Sequence, residues 1–186
     1  AKDYQQLASG GNSVMVVGVS EITILFSLKT SFNGYDKMPV SQGREYKDQC
    51  RLTLEAAAGY TYETLRQRHM EAYRKYYDRV SLQIHGEDYS ALPTDVRIRK
   101  AGEGTVDNGL VCLLFDYGRY LAICASQPGT QAMNLQGIWN AEFMPMWDSK
   151  YTININLQMN YWLACAGNLT ELHEPVMDLL ETMHEP

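Results

Sequence analysis

The chain has 186 residues, 45% of them apolar and 20% charged, with a formal net charge of −6. Such proportions fit an ordinary globular protein with a sizeable core, in one large domain or parts of two. Basic residues are scattered rather than clustered, which argues against nucleic-acid binding. No apolar run approaches the roughly 20 residues that a membrane-spanning helix needs.

The chain opens Ala1-Lys2-Asp3-Tyr4, without initiator methionine or leader pattern. It closes on Met183-His184-Glu185-Pro186 inside a helical pattern, so it reads as a piece of a longer protein. Ser9-Gly10-Gly11-Asn12 signals a turn before two runs rich in β-branched residues, 14–19 and 21–30, both expected as strands. Residues 32–39 read as a loop, with Asn33-Gly34 offering positive-φ positions.

From Gln49 to about Asp78 the period becomes helical. Leu52, Leu54, Ala57 and Ala58 line one predicted face, and Gly59 marks its stop. Thr61-Tyr62-Glu63-Thr64 resembles a helix start, and Leu65, His69, Tyr73, Tyr76 and Tyr77 form a second stripe. Residues 80–84 alternate like a short strand. Residues 86–104 are polar, with a turn or helix start at Leu92-Pro93-Thr94-Asp95. From Val106 onward everything reads as helix. Residues 110–126 are apolar almost all round and are expected to be buried on most sides, up to a stop at Pro128-Gly129. A long loop at 131–151 separates this helix from two more, at about 155–166 and 170–182. Cys50, Cys112, Cys124 and Cys165 lack metal-ligand spacing and read as free core thiols.

The segment 128–162 carries most of the chemistry. It packs five Asn, three Gln and three Trp into 35 residues with one Lys and no Arg or His. Amides and indoles in that density can hydrogen-bond sugar hydroxyls while stacking on pyranose faces. A buried amide network that holds a large loop is the equal alternative. Trp162 sits in a helical apolar pattern and is expected in the core. Trp139 reads as a loop anchor, and Trp147, beside Pro145 and Asp148, as an indole available to a sugar. Asn140 and Thr152 are candidate contacts to sugar hydroxyls. Asn154 and Asn156, two positions apart, face away from each other on a helix and together only on an extended segment or at the start of a helix. Both could instead satisfy backbone groups at that start. Among carboxylates, Asp116, Glu142, Asp148, Glu171 and Glu174 are the acid candidates, and Asp148 borders the loop. His69, His85, His173 and His184 are scattered and fit packing or surface positions. Asn168-Leu169-Thr170 is a formal glycosylation sequon at a helix start, where Thr170 is an expected cap.

Several runs together resemble one family. They are Tyr117-Gly118-Arg119-Tyr120-Leu121, Pro128-Gly129-Thr130-Gln131, Asn134-Leu135-Gln136-Gly137-Ile138-Trp139-Asn140 and Pro145 with Trp147. Tyr151-Thr152-Ile153-Asn154-Ile155-Asn156 and Met159-Asn160-Tyr161-Trp162 complete the set. The chain resembles glycoside hydrolase family 95, the inverting α-L-fucosidases, which also include some α-L-galactosidases. Gln127, Ala132, Met146, Leu163 and Cys165 depart from the family pattern; Cys165 stands where an acidic residue is common.

The resemblance implies a mixed, multidomain fold. Residues 1–48 would close an N-terminal β-sandwich, 49–105 form a helical linker with a short strand, and 106–186 begin an (α/α)6 toroid. It implies hydrolysis of terminal α-L-fucosyl linkages on a fucosylated oligosaccharide or glycoconjugate, without metal or organic cofactor and without membrane insertion. Asn154 and Asn156 would position the attacking water with a distant Asp, and that Asp and the acid Glu would lie beyond Pro186, leaving the isolated chain inactive. Inverting hydrolysis sets two carboxyls roughly 6.5–9.5 Å apart, with room for that water. Fucosylated glycans are extracellular, which favours an exported enzyme. An α-L-galactosidase, another toroid hydrolase and a non-catalytic carbohydrate-binding protein are the alternatives.

Overall fold

The computed structural model describes residues 5–10 and 13–184, with side chains from Met15 onward. Gly11 and Asn12 of the expected turn, and the extreme ends of the chain, lie outside the described residues. The elements are β1 (Gln5–Gly10), β2 (Ser13–Val17), α1 (Lys47–Ala58), α2 (Tyr62–Tyr77), α3 (Thr94–Gly102), α4 (Asn108–Ala125), α5 (Asn156–Ala166) and α6 (Glu174–His184). Two compact units divide them, Ala1–Met70 and Glu71–Pro186. No helix among the described residues is long and apolar enough to cross a membrane.

In the first unit β1 and β2 pair antiparallel, with Gln5 opposite Val17 and an irregularity between Gln6 and Ala8. The predicted strand at 21–30 is not formed. Ile24 and Phe26 are exposed there, and among the described residues no second strand faces them. β-branched side chains favour an extended backbone, but a strand needs a ladder partner for its N–H and C=O groups. The loop that follows is closed by Asn33, whose amide donates to Gln42 O at 2.9 Å and accepts from Arg44 Nε at 3.0 Å. Glu45 starts α1 by accepting from the backbone N–H groups of Lys47 and Asp48. On α1, Leu54 and Ala57 turn partly inward, whereas Leu52 and Ala58 of the expected face are exposed. Thr61 caps α2 as its sequence suggests, its Oγ1 accepting from Thr64 N at 3.2 Å. His69 is exposed rather than part of the stripe.

In the second unit the stripe continues as Tyr73, Tyr76 and Tyr77, all half-buried. Tyr73 stacks on Tyr77 at 5.0 Å and meets Tyr120 of α4 edge-on at 5.8 Å. Burial, then the neighbouring Tyr77, pushes the Tyr73 phenol up to about 12. α3 and α4 are joined by a buried fork: Arg97 Nε and Nη2 reach the two oxygens of Asp107 at 2.8 and 2.9 Å. Asp107 also caps α4 by accepting from Leu110 N. The paired Arg97 holds the Asp107 carboxyl below its ordinary range.

Arg119 is the densest tie in this unit. It is 1% exposed, and its guanidinium donates to four main-chain carbonyls. Tyr76 O and Tyr77 O lie at 3.0 Å, Val80 O at 3.2 Å and Gly167 O at 3.3 Å. The segment 80–84 is therefore not the expected strand. Val80 O, which a ladder would use, is taken by Arg119, and no strand pairs with it among the described residues.

The core gathers Ala122, Ile123 and Ala125 of α4, Leu157, Tyr161 and Ala164 of α5, and Leu169, Leu172 and Val176 beyond it. α4 is not buried on most sides. Its C-terminal half is packed, while Val111, Leu114 and Tyr117 are exposed, Leu114 by 70%, because no described element covers that face. Likewise the cysteines are free but not core residues. Cys50, Cys112 and Cys124 are half-buried and Cys165 is exposed.

Arg119→Met leaves four carbonyls without their donor, and the expected loss is on the order of 3 kcal/mol, read by denaturant unfolding. Tyr73 yields a pH prediction. Its phenol is raised in the folded state, so its stabilising effect is complete below about pH 10, the unfolded value, and fades as pH rises toward about 12. Tyr73→Phe should flatten that alkaline limb in melts between pH 9 and 12; an unchanged limb would refute it.

Candidate functional site

α5 carries the centre of the amide-rich segment, and a buried chain of donors fixes what surrounds it. Ser126, the residue that ends α4, donates its single hydroxyl hydrogen to Leu172 O at 2.8 Å. Tyr161 must therefore be the donor in its 2.7 Å bond to Ser126 Oγ. The Tyr161 oxygen in turn accepts from Met133 N at 2.8 Å. One line of hydrogen bonds thus joins the start of the loop to α5, α4 and the turn before α6. Burial pushes the Tyr161 phenol upward, against its hydrogen bonds with Ser126 and Met133, so it stays a donor. Its ring also lies 5.6 Å from that of His173.

One residue before Tyr161, Asn160 ties down the next part of the loop. Its Nδ2 donates to Asn134 O at 2.9 Å. The Asn134 side-chain oxygen accepts from Gln136 N at 2.9 Å and lies 3.1 Å from Ser149 Oγ. Leu135 N donates across the loop to Lys150 O at 3.2 Å. The two ends of the excursion 135–150 are thereby pinned together. Its far side holds a short helical turn at Met146–Ser149 whose residues Trp147, Asp148 and Ser149 have φ of 59°, 54° and 53°. Thr152 has φ 47°. Left-handed backbone costs a non-glycine residue of order 1–3 kcal/mol each and persists only where its surroundings hold it, commonly at functional sites.

The residues picked out from sequence sit as follows. Trp147 is 73% exposed at the tip of the strained turn, and Thr152 lies beyond it, also exposed. Asn140 folds back on its own loop, its amide bonded to the backbone of Glu142 in both senses, 2.8 and 2.9 Å. Asn154 is exposed in the turn that leads into α5, and Asn156 is half-buried as the first residue of the helix. The segment is a helix start, not an extended strand. Neither amide caps it: Ile155 is the N-cap and no side chain bonds to the first-turn N–H groups. Among the described residues neither Asn154 nor Asn156 has a side-chain hydrogen bond.

Asn156 and Asn160 stand four apart, on one face of α5, so Asn156 shares the face that Asn160 turns toward the loop. Trp139 behaves as an anchor, stacked near Tyr120 at 6.5 Å. Trp162 is not in the core; it is 63% exposed at the rim of a groove of about 410 Å³ beside Cys165, His173 and Met177. Position 162 lies on the side of α5 away from the packed residues Leu157, Tyr161 and Ala164. Thr170 is no cap, since Leu169 precedes the turn Thr170–His173 without a side-chain bond.

Glu171 and Asp148 are not arranged as acids. Arg79 bonds Glu171 at 2.9 Å and holds it below the ordinary range, so it stays ionised. Asp148 pairs with Lys150 at 2.9 Å on an exposed surface. Among the described residues no three His, Cys, Asp or Glu side chains group to hold a metal ion. Sequence reasoning did not single out Ser126, Asn160 or Tyr161 by role. A tyrosine and a serine within apolar helical runs were the available signal, since a buried hydroxyl needs a partner.

Comparison with known proteins adds a family. The "Glycosyl hydrolase family 95 catalytic domain" matches residues 61–186. Alpha-L-fucosidase 2 of Arabidopsis thaliana is 38% identical over 179 residues, which is 94% of this chain and 21% of that protein. The Probable alpha-fucosidase A of Aspergillus niger is 34% identical over 91% of the chain and 22% of its own length. Its namesake in Aspergillus oryzae is 31% identical over 87% and 23%. The chain thus spans about a fifth of the length of the curated relatives it matches.

Tyr161→Phe removes the middle of the donor chain, leaving Met133 N without its acceptor. The expected cost is about 1–3 kcal/mol, with faster amide hydrogen exchange at Met133. Exchange at Met133 unchanged from wild type would refute the chain.

Proposed function

The chain belongs to glycoside hydrolase family 95, and from that premise we propose that it supplies the water-positioning amides of an α-L-fucosidase. On this proposal the enzyme hydrolyses terminal α-L-fucosyl linkages of an oligosaccharide or glycoconjugate with inversion. Asn154 and Asn156 hold the attacking water, while Trp147 and Thr152 border the sugar, with Asn140 near them. The observation that carries it is the pair of unengaged carboxamides at the start of α5. Amides recruited to cap a helix would be bonded to its first N–H groups, and these are not.

A carboxamide has no useful basicity near neutral pH, so it orients a water and leaves proton removal to a carboxylate. The general acid and the base-side Asp are assigned to residues outside these 186. Glu171 is locked to Arg79 and Asp107 to Arg97, and Asp148 is paired in solvent, so none of the three is poised as an acid. The domain arrangement proposed with this activity has 1–48 completing a β-sandwich, 49–105 as linker and 106–186 opening an (α/α)6 toroid. The exposed apolar face of α4 supports the toroid, because a helix with Leu114 and Tyr117 in solvent calls for further elements to pack on it. An α-L-galactosidase is the nearest alternative. It differs by a hydroxyl at C6, so parallel rates on the two nitrophenyl glycosides separate the two activities.

Asn156→Ala in the natural protein should lower kcat for 4-nitrophenyl α-L-fucoside by about 10²–10⁴ while leaving the melting temperature nearly unchanged. Turnover at the wild-type rate would remove Asn156 from the mechanism.

A further inference from the structure

We infer that Asn160 is a positioning residue: through Asn134 it locks the strained turn at 147–149 onto α5, so that Trp147 and Asn156 serve one sugar. The kinetic part of this claim rests on the fucosidase proposal; the structural part does not. Asn160 acts through the loop backbone. Its Nδ2 holds the Asn134 carbonyl at 2.9 Å from the helix face on which Asn156 lies one turn earlier.

Asn134 converts that single bond into control of the turn. Its carboxamide oxygen receives Gln136 N at 2.9 Å and sits 3.1 Å from Ser149 Oγ. The Ser149 hydroxyl lies at the same distance from Gln136 Oε1, so its single hydrogen is shared between two amide oxygens and ties the turn to both. Ser149 is the last of the three left-handed residues. Each of these residues alone favours relaxation to right-handed or extended backbone, and relaxation swings the exposed Trp147 indole. The hydroxyl bridge and the Leu135 N to Lys150 O bond close the turn on either side of Ser149. Beyond the Met133 N to Tyr161 bond at the start of the loop, Asn160 ties this closed turn to α5.

The test uses two variants that act at opposite ends of the link. Asn160→Asp keeps the shape but sets an oxygen against the Asn134 carbonyl. Ser149→Ala removes the hydroxyl bridge and leaves Asn160 untouched. In protein labelled with 5-fluorotryptophan, the Trp147 resonance, assigned by its loss in Trp147→Phe, should shift or broaden in both variants. The Trp162 resonance should hold its place in Ser149→Ala. With 4-nitrophenyl α-L-fucoside, each variant should raise KM about tenfold with kcat within about threefold of wild type. The double variant should be no worse than about the single ones, because both cut the same link.

An unmoved Trp147 resonance in Asn160→Asp overturns the inference. So does a lowered melting temperature with KM unchanged, which is the mark of a purely structural asparagine. Natural full-length protein that releases no fucose overturns the fucosidase proposal instead, and the fluorine spectra then decide the positioning claim alone.

Discussion

The line of hydrogen bonds from Met133 N through Tyr161 and Ser126 to Leu172 O is the constraint on which the second unit turns. Its members are buried, so each donor or acceptor must be satisfied inside the protein, and removing one strands the next. It fixes the end of α4, the middle of α5 and the approach to α6 to one another. It also fixes the point at which the amide-rich loop leaves the core. Arg119 performs the matching task on the other side, tying the end of α2 and the end of α5 to α4 through main-chain carbonyls. A guanidinium suits this because its five N–H groups fan out in a plane and it has no lone pair to satisfy.

Between these two ties α5 has little freedom, while what lies beside its N-terminus is strained and open. Rigid support beneath, with left-handed backbone and exposed aromatic and amide groups above, is how a polar ligand site is commonly built. The strain at Trp147, Asp148, Ser149 and Thr152 explains why the loop is so rich in amides. A backbone that leaves regular structure loses its ladder partners, and the side chains of Asn134 and Asn160 replace two of them, for Gln136 N and Asn134 O. The loop-holding reading of the amide density accounts for part of it. Asn134 and Asn160 form a network that holds the loop, whereas Asn154 and Asn156 are left free for something else.

The helices were legible in the sequence because their signals are local. Thr61 before α2 and the apolar period of α4 and α5 depend only on residues within a turn or two. The strands at 21–30 and 80–84 were not, because a strand is defined by its partner and the sequence of one edge does not say whether another edge is present. The burial of α4 and of Trp162 failed for a related reason. Apolar residues mark surfaces that need cover, and period alone does not say which neighbour provides it. At the site, Asn154 and Asn156 stood out through a family resemblance, and their release from capping became visible only in three dimensions. Asn160 looked no different from them in the sequence, and only its bond to Asn134 O separates a supporting amide from the free ones.

Amides at the centre of a site have a consequence for its pH behaviour. A carboxamide neither takes up nor releases a proton in the working range, so in the proposed role Asn154 and Asn156 would orient a water without titrating. The groups whose ionisation this fold displaces move away from neutrality. Asp107 and Glu171 are lowered by their arginines, while Tyr73 and Tyr161 are raised chiefly by burial. Each is thereby fixed in one protonation state across the neutral range, which suits residues that hold structure and disqualifies them as the acid of a hydrolase. On the proposed mechanism an acidic or basic limb in a rate profile would come from the carboxylates assigned outside these 186 residues. Removing either amide should lower such a profile without moving its midpoints.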